Sequence, residues 1–173
     1  ANSHSPARGP FAAYMFGVGA TEMLGVLVTG EIWLKVPHTI VMDFSGKLSA
    51  GVSAKDMMLF LIGRFGLDGG QYQAAEYRGA AIRALPMQER MTLCNMTAEL
   101  GGQTGLISSD TVTEQFLKTR IETWDSDTDA PVLEHHRFNA SELAPQVAAP
   151  HSPANTKAAA EFKDVKPAVA YIG

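Results

Sequence analysis

The alternation of strand-like and helix-like segments predicts an α/β fold, in which helices cover a mostly parallel β-sheet. Short apolar runs bounded by turn residues are typical of strands, and they occur at residues 39–44, 74–79 and 106–108. Two segments with helical signals, Ala54–Phe65 and residues 87–98, lie between these runs. Strands that alternate with helices along a chain favour a parallel sheet over an antiparallel one.

The first predicted helix covers residues 22–35. Thr21 can cap its first turn, and Glu22 is favourable near the positive end of the helix dipole. Four apolar residues recur at helical spacing and are expected to face the core: Leu24, Leu27, Val28 and Ile32. Pro37 ends this helix, and a strand is expected directly after it.

The second predicted helix, Ala54–Phe65, has the clearest start signal in the chain. Ser53 and Asp56 have the spacing of a capping box, in which a hydroxyl and an acid three residues later satisfy the first backbone N–H groups. The helix is apolar on nearly every side, which is typical of a buried helix. Gly66 is expected to end it.

The stretch from residue 74 to residue 106 contains the residues with the most chemical potential. Glu76 is the one acid of a strand-like run. In the helix that follows, Pro86 suits the first turn, and Asn95 and Glu99 lie one turn apart near the apolar face. Buried amides and carboxylates need partners, so this pair is either a structural hydrogen-bond hub or part of a site. The apolar face itself is formed by Met87, Met91, Cys94 and Ala98, and Gly101 and Gly102 close the helix.

The last third of the chain is less regular. Asp110 or Thr111 can cap a helix over residues 112–120. Residues 124–130 are acidic and lack periodic apolar residues, so they are expected to form an exposed connector. A loosely alternating strand over residues 133–143, a loop at residues 149–153 and a buried strand at residues 167–172 are predicted after it.

Composition excludes several classes of function. The chain has 173 residues, a net charge of −4 and no basic patch, which argues against nucleic acid as the main partner. Its single cysteine, Cys94, excludes an internal disulfide, is typical of a reducing compartment, and cannot by itself ligate an iron–sulfur cluster through three or four thiolates. No signal peptide or membrane span is predicted, because charged residues interrupt the longest apolar stretch.

Several short motifs occur in a particular order along the chain. They are N-S-H-S at residues 2–5, F-G-V-G-A-T-E-M at 16–23, T-G-E-I-W-L-K-V-P at 29–37, G-V-S-A-K-D at 51–56, E-Y-R-G at 76–79, M-T-L-C-N-M-T-A-E-L-G at 91–101, Q-V-A-A-P-H-S-P at 146–153 and Y-I-G at 171–173. In this order they resemble the large subunit of an aconitase-family hydro-lyase. The nearest branch is that of 3-isopropylmalate dehydratase (isopropylmalate isomerase) and homoaconitase, and the chain resembles an internal portion of such a subunit.

This resemblance implies a partial, aconitase-like three-layer α/β/α fold. Residues 1–38 would end a first lobe, residues 39–120 would form a second α/β lobe, and residues 121–173 would be a connector and the start of a third lobe. It also implies a cytoplasmic lyase that moves a hydroxyl between neighbouring carbons of a 2-hydroxy di- or tricarboxylic acid by dehydration and rehydration. In the family this chemistry uses a 4Fe–4S cluster, one iron of which acts as a Lewis acid.

The resemblance also assigns roles to particular residues. His4 matches the histidine that protonates the departing hydroxyl, and Glu76 matches a glutamate beside the iron-bound water. Asn2 and Ser3 would line the substrate pocket. The base that removes the carbon-bound proton belongs, in the family, to a swivelling small subunit or domain.

The chain departs from the family pattern at two points. Asn2 stands where the family usually has aspartate, so the charge that would support His4 is absent there. The family's cluster cysteines follow Y-I-G, and Cys94 matches a position that is not a ligand. We therefore expect the isolated chain to bind no cluster or other metal and to be inactive. Apolar patches exposed at both ends of the segment are expected to make it self-associate. The alternative is a non-catalytic, aconitase-like interaction module that lacks the cluster.

Other polar residues have structural interpretations beside functional ones. His4 near a terminus can be a solvated histidine. His135 and His136 are adjacent on a predicted strand and should point to opposite faces, so a shared ion is not expected. His151 lies in a proline-rich loop. Three arginines can contact a carboxylate but are more often surface or interdomain groups: Arg78, Arg83 and Arg90.

Overall fold

A four-stranded parallel sheet forms the centre of the chain in a computed structural model that describes residues 4–123 and 125–171. Its strands lie in the order β3-β2-β1-β4, and all neighbouring pairs are parallel. They are β1 (Thr39–Ser45), β2 (Ala74–Arg78), β3 (Thr104–Leu106) and β4 (Glu134–Asn139). The predicted α/β class with a mostly parallel sheet is confirmed.

The remaining elements are helices and one small hairpin. The α-helices are α1 (Ala20–Thr29), α2 (Ala54–Phe65), α3 (Ala80–Arg83), α4 (Met87–Asn95) and α5 (Thr111–Leu117). Short 3₁₀-helices occur at Ser5–Phe11, Ala140–Glu142 and Ala159–Phe162. The antiparallel strands β5 (Gln146–Ala148) and β6 (Thr156–Ala158) form the hairpin, whose connection contains the predicted loop. None of the helices among the described residues is long and apolar enough to cross a membrane.

The core lies on one face of the sheet, under α2 and α4. Alternate residues of β1, Ile40, Met42 and Phe44, belong to one buried cluster with apolar residues of both helices. The predicted capping box of Ser53 and Asp56 is present, and α2 has the predicted bounds. The side of α2 that faces the core is buried, whereas Lys55, Gly63 and Arg64 are exposed.

The opposite face of the sheet is polar. Parallel neighbours in register point to the same face, so Glu76 of β2 shares a row with Val41 of β1 and His135 of β4. Arg78 shares the next row with Asp43. This face therefore collects charged side chains near the carboxyl ends of the strands.

The prediction for the first helix was wrong in two respects. Helix α1 begins after Gly19, without a side-chain cap from Thr21, and ends at Thr29 because Gly30 adopts the left-handed conformation, φ 73°. The residues expected to face the core are exposed, with Val28 76% exposed. Ile32 lies beyond the end of α1, so only Leu24, Leu27 and Val28 lie on the helix, and all three are exposed.

Several other predicted bounds also need correction. Strand β3 was predicted at residues 106–108 but lies earlier, because its pairing with β2 ends at Leu106. Helix α4 was predicted to reach residue 98 but ends at Asn95, and turns lead from there to Gly101. Helix α5 is capped by Asp110, as predicted, but ends at Leu117. The described residues of the predicted last strand, 167–171, form no strand, and Tyr171 is 92% exposed. Ile172 lies outside the described residues.

Gly9 is expected to be essential for docking the 3₁₀-helix Ser5–Phe11. A Cβ at this position would lie 1.9 Å from the carbonyl oxygen of Gly105 and 3.1 Å from the sulfur of Cys94. Gly9→Ala should therefore displace this segment and expose the Cys94 thiol, which is completely buried. A thiol-reactive dye would measure the faster modification.

Gly25→Ala is the matched control, because a Cβ there meets nothing within 4 Å. Its position inside α1 predicts a small gain in stability of about 0.5–1 kcal/mol. Equal thiol reactivity in the two variants would contradict the proposed contact between the 3₁₀-helix and α4.

Candidate active site

Glu76 is a buried carboxylate near the carboxyl end of β2. Its side chain is only 7% exposed. Arg78 donates from Nε to Glu76 Oε1 and from Nη2 to Oε2, the latter at 2.7 Å. Ser126 donates its hydroxyl to Oε2 at 2.9 Å. The carboxylate therefore has a paired cation and an additional hydrogen bond, which offset the cost of burying its charge.

The pair of Glu76 and Arg78 follows directly from strand geometry. Residues two apart on a strand point to the same face, so the two side chains lie side by side. The hydrogen bond from Arg78 to Glu76, supported by the charge of that carboxylate, holds the pKa of Arg78 above its ordinary value. Arg78 thus stays charged at physiological pH.

A cavity of about 400 Å³ opens beside this pair. Its polar lining comes from the end of β2, from α3, from the loop after β3 and from the connector, and includes Glu76, Arg78, Arg83, Ser108, Asp125 and Ser126. Glu76 also lines a second cavity of about 210 Å³ together with Gly9 and Tyr14. In open parallel sheets, ligands bind outside the carboxyl ends of the strands, which is where the larger cavity lies.

His4 lies beside α4 and its C-terminal turns. Its Nδ1 is 2.7 Å from Asn95 Oδ1 and 3.9 Å from Glu99 Oε1, and the amide of Asn95 donates to the backbone oxygen of His4 at 3.3 Å. Asn95 and Glu99, whose role the sequence left open, therefore form a polar hub around His4. The second carboxylate oxygen of Glu99 is buried and has no hydrogen-bond partner among the described residues.

The structure does not bring His4 and Glu76 together. Helix α4 packs on the face of the sheet that carries Tyr77, whose hydroxyl is 2.8 Å from that of Thr97. Glu76 points to the other face, since neighbouring residues of a strand alternate. Asn2 and Ser3 lie outside the described residues. The roles assigned to these four residues stay predictions.

Arg90 corrects one interpretation of the arginines. It was expected on the surface or between domains, but it is completely buried. Its guanidinium donates to both carboxylate oxygens of Asp110 at 2.8 Å and to the backbone oxygens of Leu85 and Arg83. Arg90 therefore joins α4 to the start of α5 and shapes one wall of the larger cavity.

A comparison with known families now bears on this arrangement. The family model described as "Aconitase family (aconitate hydratase)" matches residues 1–170. The chain belongs to the aconitase family. The resemblance inferred from the order of the motifs is thus confirmed.

Curated members of the aconitase family align with nearly the whole chain. In Methanosarcina mazei, a "Probable 3-isopropylmalate dehydratase large subunit" is 43% identical over 95% of this chain and 41% of its own length. A "Probable methanogen homoaconitase large subunit" of the same organism is 42% identical over 100% of this chain and 45% of its own length. The "3-isopropylmalate dehydratase large subunit" of Moorella thermoacetica is 39% identical over 96% and 40%, respectively. The chain spans less than half the length of these relatives.

Two further residues contact Glu76. The sequence identified Arg78 as an arginine that can contact a carboxylate but did not pair it with Glu76. That pairing carried a detectable signal, because the spacing of the two residues places both on one face of a strand. Ser126 carried none, since it lies in an exposed acidic connector without periodicity and reaches Glu76 only through the fold. The described residues 125–129 of that connector are exposed, as predicted.

The adjacent histidines pair separately, as their strand positions predict. His135 Nε2 lies 3.6 Å from Asp43 Oδ2, and His136 Nε2 lies 2.7 Å from Glu134 Oε2. Across residues 4–123 and 125–171, no group of three or more histidine, cysteine, aspartate or glutamate side chains is arranged to hold a metal ion.

Proposed function

We propose that this chain is part of the large subunit of an iron–sulfur hydro-lyase. The complete enzyme would isomerise a 2-hydroxy di- or tricarboxylic acid of the isopropylmalate type by dehydration and rehydration. The observation that carries the proposal is Glu76, a buried and ion-paired carboxylate that lines two cavities at the end of a central strand in an aconitase-family chain.

Glu76 is suited to hold and move a proton. Arg78 donates a hydrogen bond to each carboxylate oxygen, and the hydroxyl of Ser126 donates to one of them, so the carboxylate is held in one orientation. A carboxylate that is held in place and shielded from water can accept a proton from a hydroxyl or water in the adjacent cavity and return it. His4 would be the acid that protonates the departing hydroxyl, and Asn2 and Ser3 would contact the substrate.

The residues of this chain do not fit a 4Fe–4S cluster. Cys94 is the single cysteine and is completely buried in the core. Burial raises the pKa of its thiol, so the thiolate that would ligate iron is disfavoured. A cluster in the complete enzyme would take its ligands from other residues of that protein.

Reconstitution of the isolated chain with iron and sulfide should therefore give no cluster absorbance in the visible range. Cys94→Ser is the matched control, and its spectrum should equal that of the unchanged chain. A cluster spectrum from the unchanged chain that disappears in this variant would contradict our interpretation of Cys94 as a packed thiol.

The function itself is tested with the longest reading frame that contains this chain, co-expressed with a swivelling small subunit. We expect hydration of the unsaturated acid to be measurable from the loss of its ultraviolet absorbance. Absence of turnover by an iron-loaded complex, across isopropylmalate-, homocitrate- and citrate-type substrates, would refute the proposal.

One observation favours the alternative of a non-catalytic interaction module. His4 contacts Asn95 and Glu99 on one face of the sheet, whereas Glu76 points to the other. A protein that uses the scaffold only to bind other proteins needs no contact between these two residues. Such a module would keep its fold but show no turnover with the small subunit present.

The same proposal extends to location and partners. A single unpaired cysteine suits the cytoplasm, which is reducing. The remainder of the large subunit and the small subunit would be the main partners. The exposed apolar residues of α1 and the segment after it, such as Leu27 and Trp33, would allow the isolated chain to self-associate.

A further inference from the structure

We infer that Arg78 binds a carboxylate group of the substrate with the edge of its guanidinium that Glu76 leaves free. The chemical class of the substrate rests on the proposed function. The binding site itself rests on the donor geometry, the cavity and the charges around Arg78.

The hydrogen-bond donors of Arg78 are only partly used. A guanidinium has five N–H donors in a rigid plane. Glu76 accepts from Nε and from Nη2, whereas Nη1 has no hydrogen-bond partner among the described residues. The edge formed by Nη1 and the second N–H of Nη2 can therefore hold another carboxylate through two parallel hydrogen bonds.

Burial separates the two edges of this guanidinium. The side chain of Glu76 is 7% exposed, but that of Arg78 is 39% exposed and lines the cavity of about 400 Å³. The edge that faces Glu76 is covered by that buried carboxylate, so we assign the exposed part of the Arg78 side chain to its other edge, toward the cavity. An incoming carboxylate can bind without breaking the existing ion pair.

The other arginines of the cavity are less suitable for this role. Arg90 is completely buried and its guanidinium is saturated by Asp110 and two backbone oxygens. Arg83 is exposed and has no ion pair among the described residues, so it contributes a diffuse positive charge at the mouth. Arg78 is the arginine that combines access with fixed orientation, because Glu76 holds it in place.

Two acidic residues act on Arg78 besides Glu76. Asp125 and Asp43 both favour its charged form through their own negative charges. Asp125 lines the same cavity and lies next to Ser126 in the connector. Its carboxylate should therefore oppose a bound anion, which makes it the natural site for a variant with stronger binding.

A carboxylate on Arg78 would have a direct consequence for the reaction. Arg78 would bridge the substrate and Glu76, so the proton-transfer group and one end of the substrate would be positioned by the same rigid plane. Positioning of this kind lowers the entropic part of a reaction barrier. Arg78 would then select substrates with a carboxylate within reach of the reacting hydroxyl.

The test is a titration of the isotopically labelled chain with succinate at constant ionic strength, followed by the Nε–H resonance of Arg78 and nearby backbone amides. The resonance is assigned by its absence from Arg78→Lys.

We expect Arg78→Lys to bind succinate about tenfold more weakly, because lysine keeps the charge but loses the bidentate geometry. Asp125→Asn should bind more tightly, and Arg83→Gln should change the affinity less than Arg78→Lys does. Succinamide, which is uncharged, should not bind.

Other results would overturn the inference. These are equal succinate affinity in the unchanged chain and Arg78→Lys, a loss in Arg83→Gln as large as that in Arg78→Lys, or no shift in the unchanged chain. If Arg78→Lys fails to fold, Asp125→Asn is the deciding variant. An unchanged succinate affinity of Asp125→Asn would contradict the inference, because the negative charge of Asp125 should oppose a carboxylate bound to Arg78. The titration needs no turnover, so its failure is distinguishable from failure of the proposed function.

Discussion

Glu76→Gln should lower kcat/KM of the proposed hydro-lyase by about 10²–10⁴-fold, the contribution typical of a positioned acid–base group. Glutamine has nearly the same shape as glutamate and can still accept a hydrogen bond from Ser126. It cannot, however, take up a proton, and it removes the charge that pairs with Arg78. Steady-state kinetics of the assembled enzyme would measure the effect.

Ser126→Ala serves as the control for this prediction. It removes one hydrogen bond to Glu76 but leaves the carboxylate and its ion pair, so we expect a much smaller loss of rate. Circular dichroism of both variants would establish that the fold is kept. Activity of Glu76→Gln within a few-fold of the unchanged enzyme would exclude Glu76 from proton transfer.

Arg90→Ala should reduce the free energy of unfolding of the chain by about 3–5 kcal/mol, as expected when one partner of a buried ion pair is removed. The guanidinium is completely buried and makes hydrogen bonds to Asp110, Leu85 and Arg83. Its removal leaves two backbone oxygens without a partner and creates a cavity between α4 and α5. Urea denaturation followed by circular dichroism would measure the loss.

Arg83→Ala is the matched control, because it removes the same charge from an exposed position seven residues away in the chain. We expect a change within about 0.5 kcal/mol, which is usual for surface substitutions. Its backbone oxygen, which accepts from Arg90, is unaffected by the change. Equal destabilisation by the two variants would show that Arg90 contributes through its charge alone.

The pH dependence of stability should distinguish the two arginine variants as well. Burial alone would raise the pKa of Asp110, but hydrogen bonds from Arg90, the charge of Arg90 and backbone N–H donors hold it below the ordinary value of 3.8. The stabilisation by this carboxylate is therefore complete above that value and is lost as the pH falls through the lower pKa of the folded state. Arg90→Ala should weaken this acid-dependent loss, whereas Arg83→Ala should retain it.

Local signals in the sequence predicted part of the candidate site, and tertiary contacts supplied its pairing. The E-Y-R-G motif singled out Glu76, and the strand predicted around it is present as β2. The ion pair between Glu76 and Arg78 follows from that strand but was not predicted. Neither the motif nor the periodicity predicted that Ser126 would reach the carboxylate from fifty residues away. Likewise, helical spacing placed Asn95 and Glu99 near one another, but their contact with His4 depends on how the 3₁₀-helix Ser5–Phe11 docks.

The sequence by itself determined the α/β class and the capping box of α2, because these depend on spacing between residues that are near in the chain. It also determined the family, because the order of short motifs along the chain can be seen without the fold. The tertiary structure decided which charges are buried and which are paired. Arg90 and Arg78 look alike in sequence, yet Arg90 is completely buried and bonded to Asp110, whereas Arg78 is partly exposed at a cavity. The physical reason is that burial and pairing depend on segments distant in sequence, and desolvation penalises any charge that those segments leave without a partner.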